Sequence, residues 1–176
     1  MLLKETLATR KHFTHLKKIH EEVTLEQVNT DSGRYYKTPA GDLYPSVTTV
    51  TGLMSKKDIL EWRKKVGEEE ANRISLKATI RGTRMHKLFE DYVDNAEIDV
   101  SKYNFQDTIN FQAIKPLLDN HLDNVHLQEV RLYSDYLKMA GTVDCVAEWK
   151  GKLSIIDFKT ATKHKNRDYI TNYFCQ

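Results

Sequence analysis

The chain has 176 residues, 40% hydrophobic and 30% charged, with 27 Lys and Arg against 25 Asp and Glu for a formal net charge of +2. That length can bury a core, and the charge permits a polyanion partner without requiring one. Cys145 and Cys175 form no C-x-x-C pair, which argues against a disulfide framework, a four-cysteine zinc site or an iron–sulfur cluster; no apolar run approaches the ~20 residues of a membrane span.

Residues 1–20 are a basic lead segment in which Lys4, Arg10, Lys11, Lys17 and Lys18 outnumber Glu5. It lacks the apolar stretch of a secretory signal and the Arg- and Ser-rich character of a transit peptide, so a cytoplasmic protein is expected. Such a segment is either a solvated terminus or an arm that touches a polyanion. Over 21–40, "VTLEQV" alternates, and Asp31-Ser32-Gly33 supplies a turn before Tyr35 and Tyr36; this reads as β structure. A second turn at Ala40-Gly41-Asp42 leads into a β-branched run from Val47 to Thr51, also read as β. From Lys56 the pattern is helical, with Ile59, Leu60, Trp62 and Val66 near helical spacing and Ser55 as the expected N-cap. Arg81-Gly82-Thr83 is expected to break the helix. A second helix then carries Met85, Leu88, Phe89, Tyr92 and Val93 on one stripe, and a third is predicted over about 107–123. Three strands follow, over 126–140, 141–149 and 152–160. Short connections at Met139-Ala140-Gly141 and Lys150-Gly151 make neighbours antiparallel. A final helix is expected from about Asp168. With no repeat and no linker, residues 1–176 read as a single domain.

The chemistry lies in the last two strands of that meander. Val143, Val146, Ile155, Ile156 and Phe158 mark core, where an unpaired carboxylate is costly. Residues two apart in a strand share a face, so Asp157 and Lys159 point together while Ile156 and Phe158 point into apolar packing. Asp144 can lie beside Asp157 if the register allows. Two carboxylates within ~4–6 Å repel and one pKa rises, unless a cation intervenes. A hard divalent ion such as Mg²⁺ removes that difficulty, and Asp, Asp and Lys on adjacent strands then suit phosphodiester hydrolysis. The competing reading is a strand-edge salt bridge between Asp157 and Lys159. Upstream, "RGTRMHKLFEDYV" places His86 and Glu90 at i, i+4 on one helix face, after a Gly-Thr turn. His86 is either a packed or solvated helical histidine, or a residue that supplies a nitrogen ligand or touches a phosphate.

The order G-T-x-x-H-x-x-x-E, then G-x-x-D, then D-x-K resembles the RecB-type branch of the PD-(D/E)XK nuclease superfamily. The segments "YPSVTTVTGLM", "EWRKK", "RGTRMHKLFEDYV", "GTVDCVAEWKGKLSIIDFKTATK" and "NYFCQ" are similar, in this order, to the mitochondrial genome maintenance exonuclease family and its phage relatives. The resemblance covers roughly Leu43 to Gln176. It implies an α/β fold with a restriction-endonuclease-like core, in which a mixed central sheet with an antiparallel meander is flanked by helices. It implies a metal site of His86, Asp144 and Asp157, with the Phe158 backbone carbonyl and Glu129 as further ligands to Mg²⁺ or Mn²⁺, and Lys159 as the catalytic lysine. Tyr173 and Gln176 resemble the start of a Q-x-x-x-Y helix that lines the site, and Ser46 and Thr48 a loop that approaches DNA phosphates. The family's chain continues past this glutamine, so the C-terminal part of the family domain is expected to be absent. The four-cysteine cluster of some RecB-type relatives is missing too.

Families of this kind act on DNA, often at single-stranded ends, and such binding needs a basic groove and aromatic platforms. The basic residues offered are Arg63, Lys64, Lys65, Arg81, Arg84 and Lys87, then Lys163, His164, Lys165 and Arg167, with Thr160 beside the catalytic lysine. Tyr35, Tyr36, Trp62 and Tyr133 are the offered stacking residues. The implied activity is a metal-dependent exonuclease. A restriction-like or structure-dependent endonuclease and a non-catalytic binding module stay open beside it.

Overall fold

A computed structural model describes residues 2–16, 24–161 and 170–174. The architecture is mixed α/β with antiparallel strands and accompanying helices, as expected; among the described residues the strands form two three-stranded sheets. By contacts the chain divides into two compact units. One comprises the described residues of Met1–His20, Lys77–Val130 and Val143–Thr160 and opens with the short α1 (Leu3–Leu7); the other, those of Glu21–Leu76, Arg131–Thr142 and Ala161–Gln176. Among the described residues no helix is long and apolar enough to cross a membrane.

The second unit begins with a hairpin of β1 (Glu26–Thr30) and β2 (Gly33–Lys37), paired from Thr30↔Gly33 to Glu26↔Lys37. Gly33 has φ +135°, and a Cβ there would fall 2.6 Å from Thr49 Cγ2, so only glycine fits. β3 (Leu43–Pro45) pairs antiparallel with β2. Leu25, Tyr36, Tyr44 and Ala140 form the unit's core, with Tyr133 against them.

The β-branched run after β3 is not a strand. It opens α2 (Val47–Val66), whose N-cap is the buried Ser46, accepting from the Thr49 backbone N–H at 2.9 Å. A cap of this kind is worth about 1 kcal/mol and offsets part of the few tenths that each β-branched residue from Val47 to Thr51 costs a helix. Ser55, expected as the cap, lies inside the helix. α2 ends at Gly67, with φ +89° and its N–H on Arg63 O.

α3 (Glu68–Val93) runs through Arg81-Gly82-Thr83 without the expected break. Gly82 costs a helix about 1 kcal/mol. Burial of Met85, Leu88, Phe89, Tyr92 and Val93 one to three turns further on outweighs this. The break falls instead at Gly67, after which Glu68, Glu69 and Glu70 suit the positive end of a new helix.

That stripe of α3 is the centre of the first unit. It packs with Phe111 and Leu118 of α4 (Phe105–His121), Leu122 and Val125 of β4 (Leu122–Ser134), and Cys145 and Ala147 of β5 (Met139–Trp149). Arg84 on α3 forks onto Asp107, at 2.8 Å from Nε to Oδ2 and 3.1 Å from Nη2 to Oδ1. Asp107 is fully buried and closes the capping box of α4 with Asn104.

The turn between β4 and β5 is at 135–138, where Lys138 takes φ +52°. Met139-Ala140-Gly141, expected as the connection, belongs to β5, because the buried Ala140 is core of the second unit. The Lys150-Gly151 turn is as expected. Both residues have positive φ (+53° and +73°), as a two-residue type I′ hairpin requires, and β6 (Lys152–Ile156) returns antiparallel from Trp149↔Lys152 to Cys145↔Ile156. Of the residues read as core, Ile156 and Phe158 do pack on the cluster, but Ile155 is 72% exposed because alternation turns it to the other face.

Arg10 and Lys11 form no free arm. Arg10 donates to the carbonyls of Asp91, Tyr92 and Ala96 at the end of α3, each at 2.6 Å. Lys11 Nζ donates to Asp119 O and Leu122 O at the end of α4. Cations there satisfy carbonyls that the helix cannot. His15 then bridges in parallel to Val125. Lys17 and Lys18 lie outside the described residues. The chain's last described element is the short α5 (Thr171–Phe174), where a helix start was expected.

Candidate metal centre

Two strands and one helix of the first unit bring side chains of opposite character to one point. His86 follows the buried Met85 on α3, so it sits at the margin of the apolar stripe and is half buried. Its ring meets Phe158 edge-on at 6.5 Å, and Phe158 in turn stacks on Phe89 at 4.8 Å. Asp144 precedes the buried Cys145 on β5 and is itself largely buried, with a side chain 13% exposed. The third residue is Glu129 on β4. One donor atom from each of His86, Glu129 and Asp144 lies within 4.8 Å of the others.

The backbone sets this convergence. The β5–β6 ladder ends at Cys145↔Ile156, and one step further its register places Asp157 across from Asp144. Past the ladder's end the Phe158 N–H has no strand partner, and it donates to Asp144 Oδ2 at 2.7 Å. The same oxygen is 3.4 Å from His86 Nδ1. Glu129 has φ +52°, a left-handed conformation inside a strand at a residue other than glycine. A local departure of this kind re-aims a side chain that regular alternation would send elsewhere, and it is strained.

The electrostatics match the crowding. Burial holds the Asp144 carboxyl above its ordinary pKa; the Phe158 N–H, His86 and Lys159 pull it down, and Asp157 adds to the rise. Glu129 is raised by burial, then by Asp144 and Glu90, against relief from His86 and Lys87. Burial, with both acids nearby, pushes the Cys145 thiol up to about 12, so it is an inert core residue. An imidazole and two carboxylates whose charged forms are disfavoured make a donor set that a divalent cation fits, since the ion removes the repulsion.

Asp157 stands outside the three-residue group. Its Oδ1 accepts from Lys159 Nζ at 2.6 Å, and both side chains are about one third exposed. The strand-edge salt bridge weighed from the sequence is therefore formed, alongside a metal-type cluster built on Asp144. Phe158 contacts the site through its N–H. Arg81 is half buried with an Nε that lacks a partner among the described residues, and Thr160 Oγ1 is 3.9 Å from where a Gly82 Cβ would stand. Arg84 is turned to Asp107, Lys87 to Glu90 and Asp91, and Arg63 to Glu68. Ser46 and Thr48 lie in the other unit, their hydroxyls 2.9 Å apart at the α2 cap. Tyr173, in that unit too, donates its N–H to Ile170 O. Tyr36 is core and Tyr133 packs on Tyr44, which removes both as open stacking surfaces. Lys163, His164, Lys165, Arg167 and Gln176 lie outside the described residues. Sequence reasoning missed the Phe158 N–H as the donor that fixes Asp144, although a strand ending next to an acid is a readable signal. It also missed the left-handed Glu129, which no residue type announces.

No protein-family profile matches the chain. It is 26% identical over 133 residues to mitochondrial genome maintenance exonuclease 1 of Homo sapiens, covering 70% of this chain and 38% of that protein. It is 28% identical over 100 residues to the protein of the same name from Mus musculus, covering 57% of this chain and 29% of that one. The chain thus spans about a third of the length of these curated relatives.

Proposed function

We propose that the chain carries the catalytic centre of a metal-dependent deoxyribonuclease of PD-(D/E)XK type, an exonuclease acting on single-stranded DNA ends. The observation that carries this reading is the convergence of His86, Glu129 and Asp144 donors within 4.8 Å. The similarity to a protein named as an exonuclease gives it its direction. In this reading the three residues hold Mg²⁺ or Mn²⁺, which when bound polarises the scissile phosphate and lowers the pKa of a water. Asp144 is held in place by the Phe158 N–H, so its carboxylate is oriented before any ligand arrives. Glu129 supplies the second carboxylate from its strained position, and His86 the nitrogen. Lys159 keeps an ammonium next to the acids through Asp157, where it stabilises negative charge developing on the phosphate. Arg81 and Thr160, in the same unit, are the residues assigned to backbone phosphates.

One observation favours a second reading, a module that binds metal and DNA without cutting. Asp157 and Lys159 bond to each other, and Asp157 is outside the metal-type group. Labelled linear and circular single-stranded DNA, incubated with Mg²⁺ or Mn²⁺ and beside EDTA, separates the cases. The exonuclease reading expects the linear strand to be degraded, the circle to survive and EDTA to stop the reaction. Cleavage of the circle would make the protein an endonuclease. Binding without cleavage of either would make it the idle module, and neither binding nor cleavage would sink both.

A further inference from the structure

α2 contains no buried residue, although it carries aliphatic side chains along its length. Val50, Leu53, Met54 and Leu60 recur at i, i+3, i+4 and i+10, one stripe of a helix. Leu53, Met54 and Leu60 are 65%, 64% and 50% exposed. Lys57, Glu61 and Lys64 fall on the same stripe, between and beyond the aliphatic positions. Between Lys56 and Lys65 the helix carries five cations against Asp58 and Glu61. Arg63 is taken by Glu68 and Asn72, and Lys57 reaches Glu61 only at 4.0 Å, with both side chains well exposed. Lys56, Lys64 and Lys65 stand outside the ion pairs among the described residues.

An exposed aliphatic stripe interleaved with lysines marks an interaction surface. We propose that this face of α2 docks an acidic, leucine-bearing helical segment of a partner protein. Its carboxylates would meet Lys56, Lys57, Lys64 and Lys65, and its apolar side chains Leu53, Met54 and Leu60. Helix-on-helix recognition uses apolar anchors recurring along one helix face. A second copy of the chain would bring like charges together. Single-stranded nucleic acid needs open aromatic platforms, but the helix's one aromatic, Trp62, is half buried and off the stripe. An anionic bilayer would have to take Lys57, Glu61 and Lys64, which lie within the stripe, below its headgroups.

The test is fluorescence anisotropy with a labelled 20-residue peptide carrying Glu and Leu at helical spacing, and a scrambled peptide of the same composition. A labelled oligonucleotide and phosphatidylserine vesicles run in parallel. The ordered peptide should bind at least about tenfold more tightly than the scrambled one. Leu53→Ser with Leu60→Ser, and separately Lys56→Glu with Lys64→Glu, should each weaken it about tenfold or more. All four positions are exposed, so circular dichroism should match the parent. Loss of peptide binding in both variants with an unchanged spectrum supports the proposal. Equal binding of both peptides, insensitivity to either variant, no peptide binding, or α2-dependent binding of the oligonucleotide or vesicles alone would each overturn it.

Discussion

Glu129 is where fold stability and metal binding should pull against each other. A residue other than glycine at φ +52° costs roughly 1–2 kcal/mol, and burial among acids disfavours its charged form. Two substitutions separate these costs. Glu129→Gln removes the charge and keeps the strain. Glu129→Gly removes both, at a price of about 0.5–1 kcal/mol in chain entropy. In EDTA at neutral pH, Gln should be more stable than the parent, and Gly more stable than Gln by up to about 1 kcal/mol. For a chain of this length that last step is about 2–4 °C in Tm. The pH sign follows from the direction of the shift. A carboxyl with a raised folded pKa contributes stability below its unfolded pKa, and that contribution is lost as pH rises through the folded pKa. The advantage of Gln over the parent should therefore shrink as pH falls through the raised folded pKa and be gone below about pH 4.5, the ordinary glutamate value. Urea denaturation across pH, with calorimetric Mn²⁺ titration, reads both quantities. Both variants should lose metal affinity by about tenfold or more. The reasoning is refuted if Gly is clearly less stable than Gln at neutral pH, or if Mn²⁺ affinity is unchanged in both.

Arg84→Met should cost about 3–5 kcal/mol in urea denaturation, because it leaves the fully buried Asp107 without its fork. DNA affinity per folded molecule should not move; a stable variant that loses DNA would return Arg84 to the nucleic-acid surface. Lys159→Ala should abolish cleavage of linear DNA and leave binding in a gel-shift assay nearly unchanged. Its stability should change by less than about 1 kcal/mol, since the Asp157 pair is one third exposed; a large loss would mean the pair is structural. Asp144→Asn keeps an acceptor for the Phe158 N–H, so the fold should persist while calorimetry shows weakened Mn²⁺ binding. Unchanged affinity would remove Asp144 from the ligand set.

Much of this was legible in the sequence where periodicity and turn chemistry are local. The Met85–Val93 stripe, the Lys150-Gly151 hairpin and the Asp31-Ser32-Gly33 turn each depend on a few neighbouring residues, and each is found as read. The errors came where a preference read from a few residues was overruled, by an adjoining cap in one case and by packing further along the chain in the others. Val47–Thr51 reads as β until Ser46 is seen to cap a helix. Gly82 reads as a break until the burial further along α3 is counted. Met139-Ala140-Gly141 reads as a turn until Ala140 is seen in a core.

The site divides the same way. Residue types and their order brought His86, Asp144, Asp157 and Lys159 to attention, because imidazole, carboxylate and ammonium chemistry is written in side-chain identity; Glu129 came only from the family resemblance. Only the tertiary structure decided that His86, Glu129 and Asp144 converge while Asp157 turns to Lys159. It also decided that Arg84, Arg10 and Lys11 serve buried carboxylate and helix ends. Which charges meet depends on where a strand ladder stops and where one residue turns left-handed, and neither is a property of the residues taken one at a time.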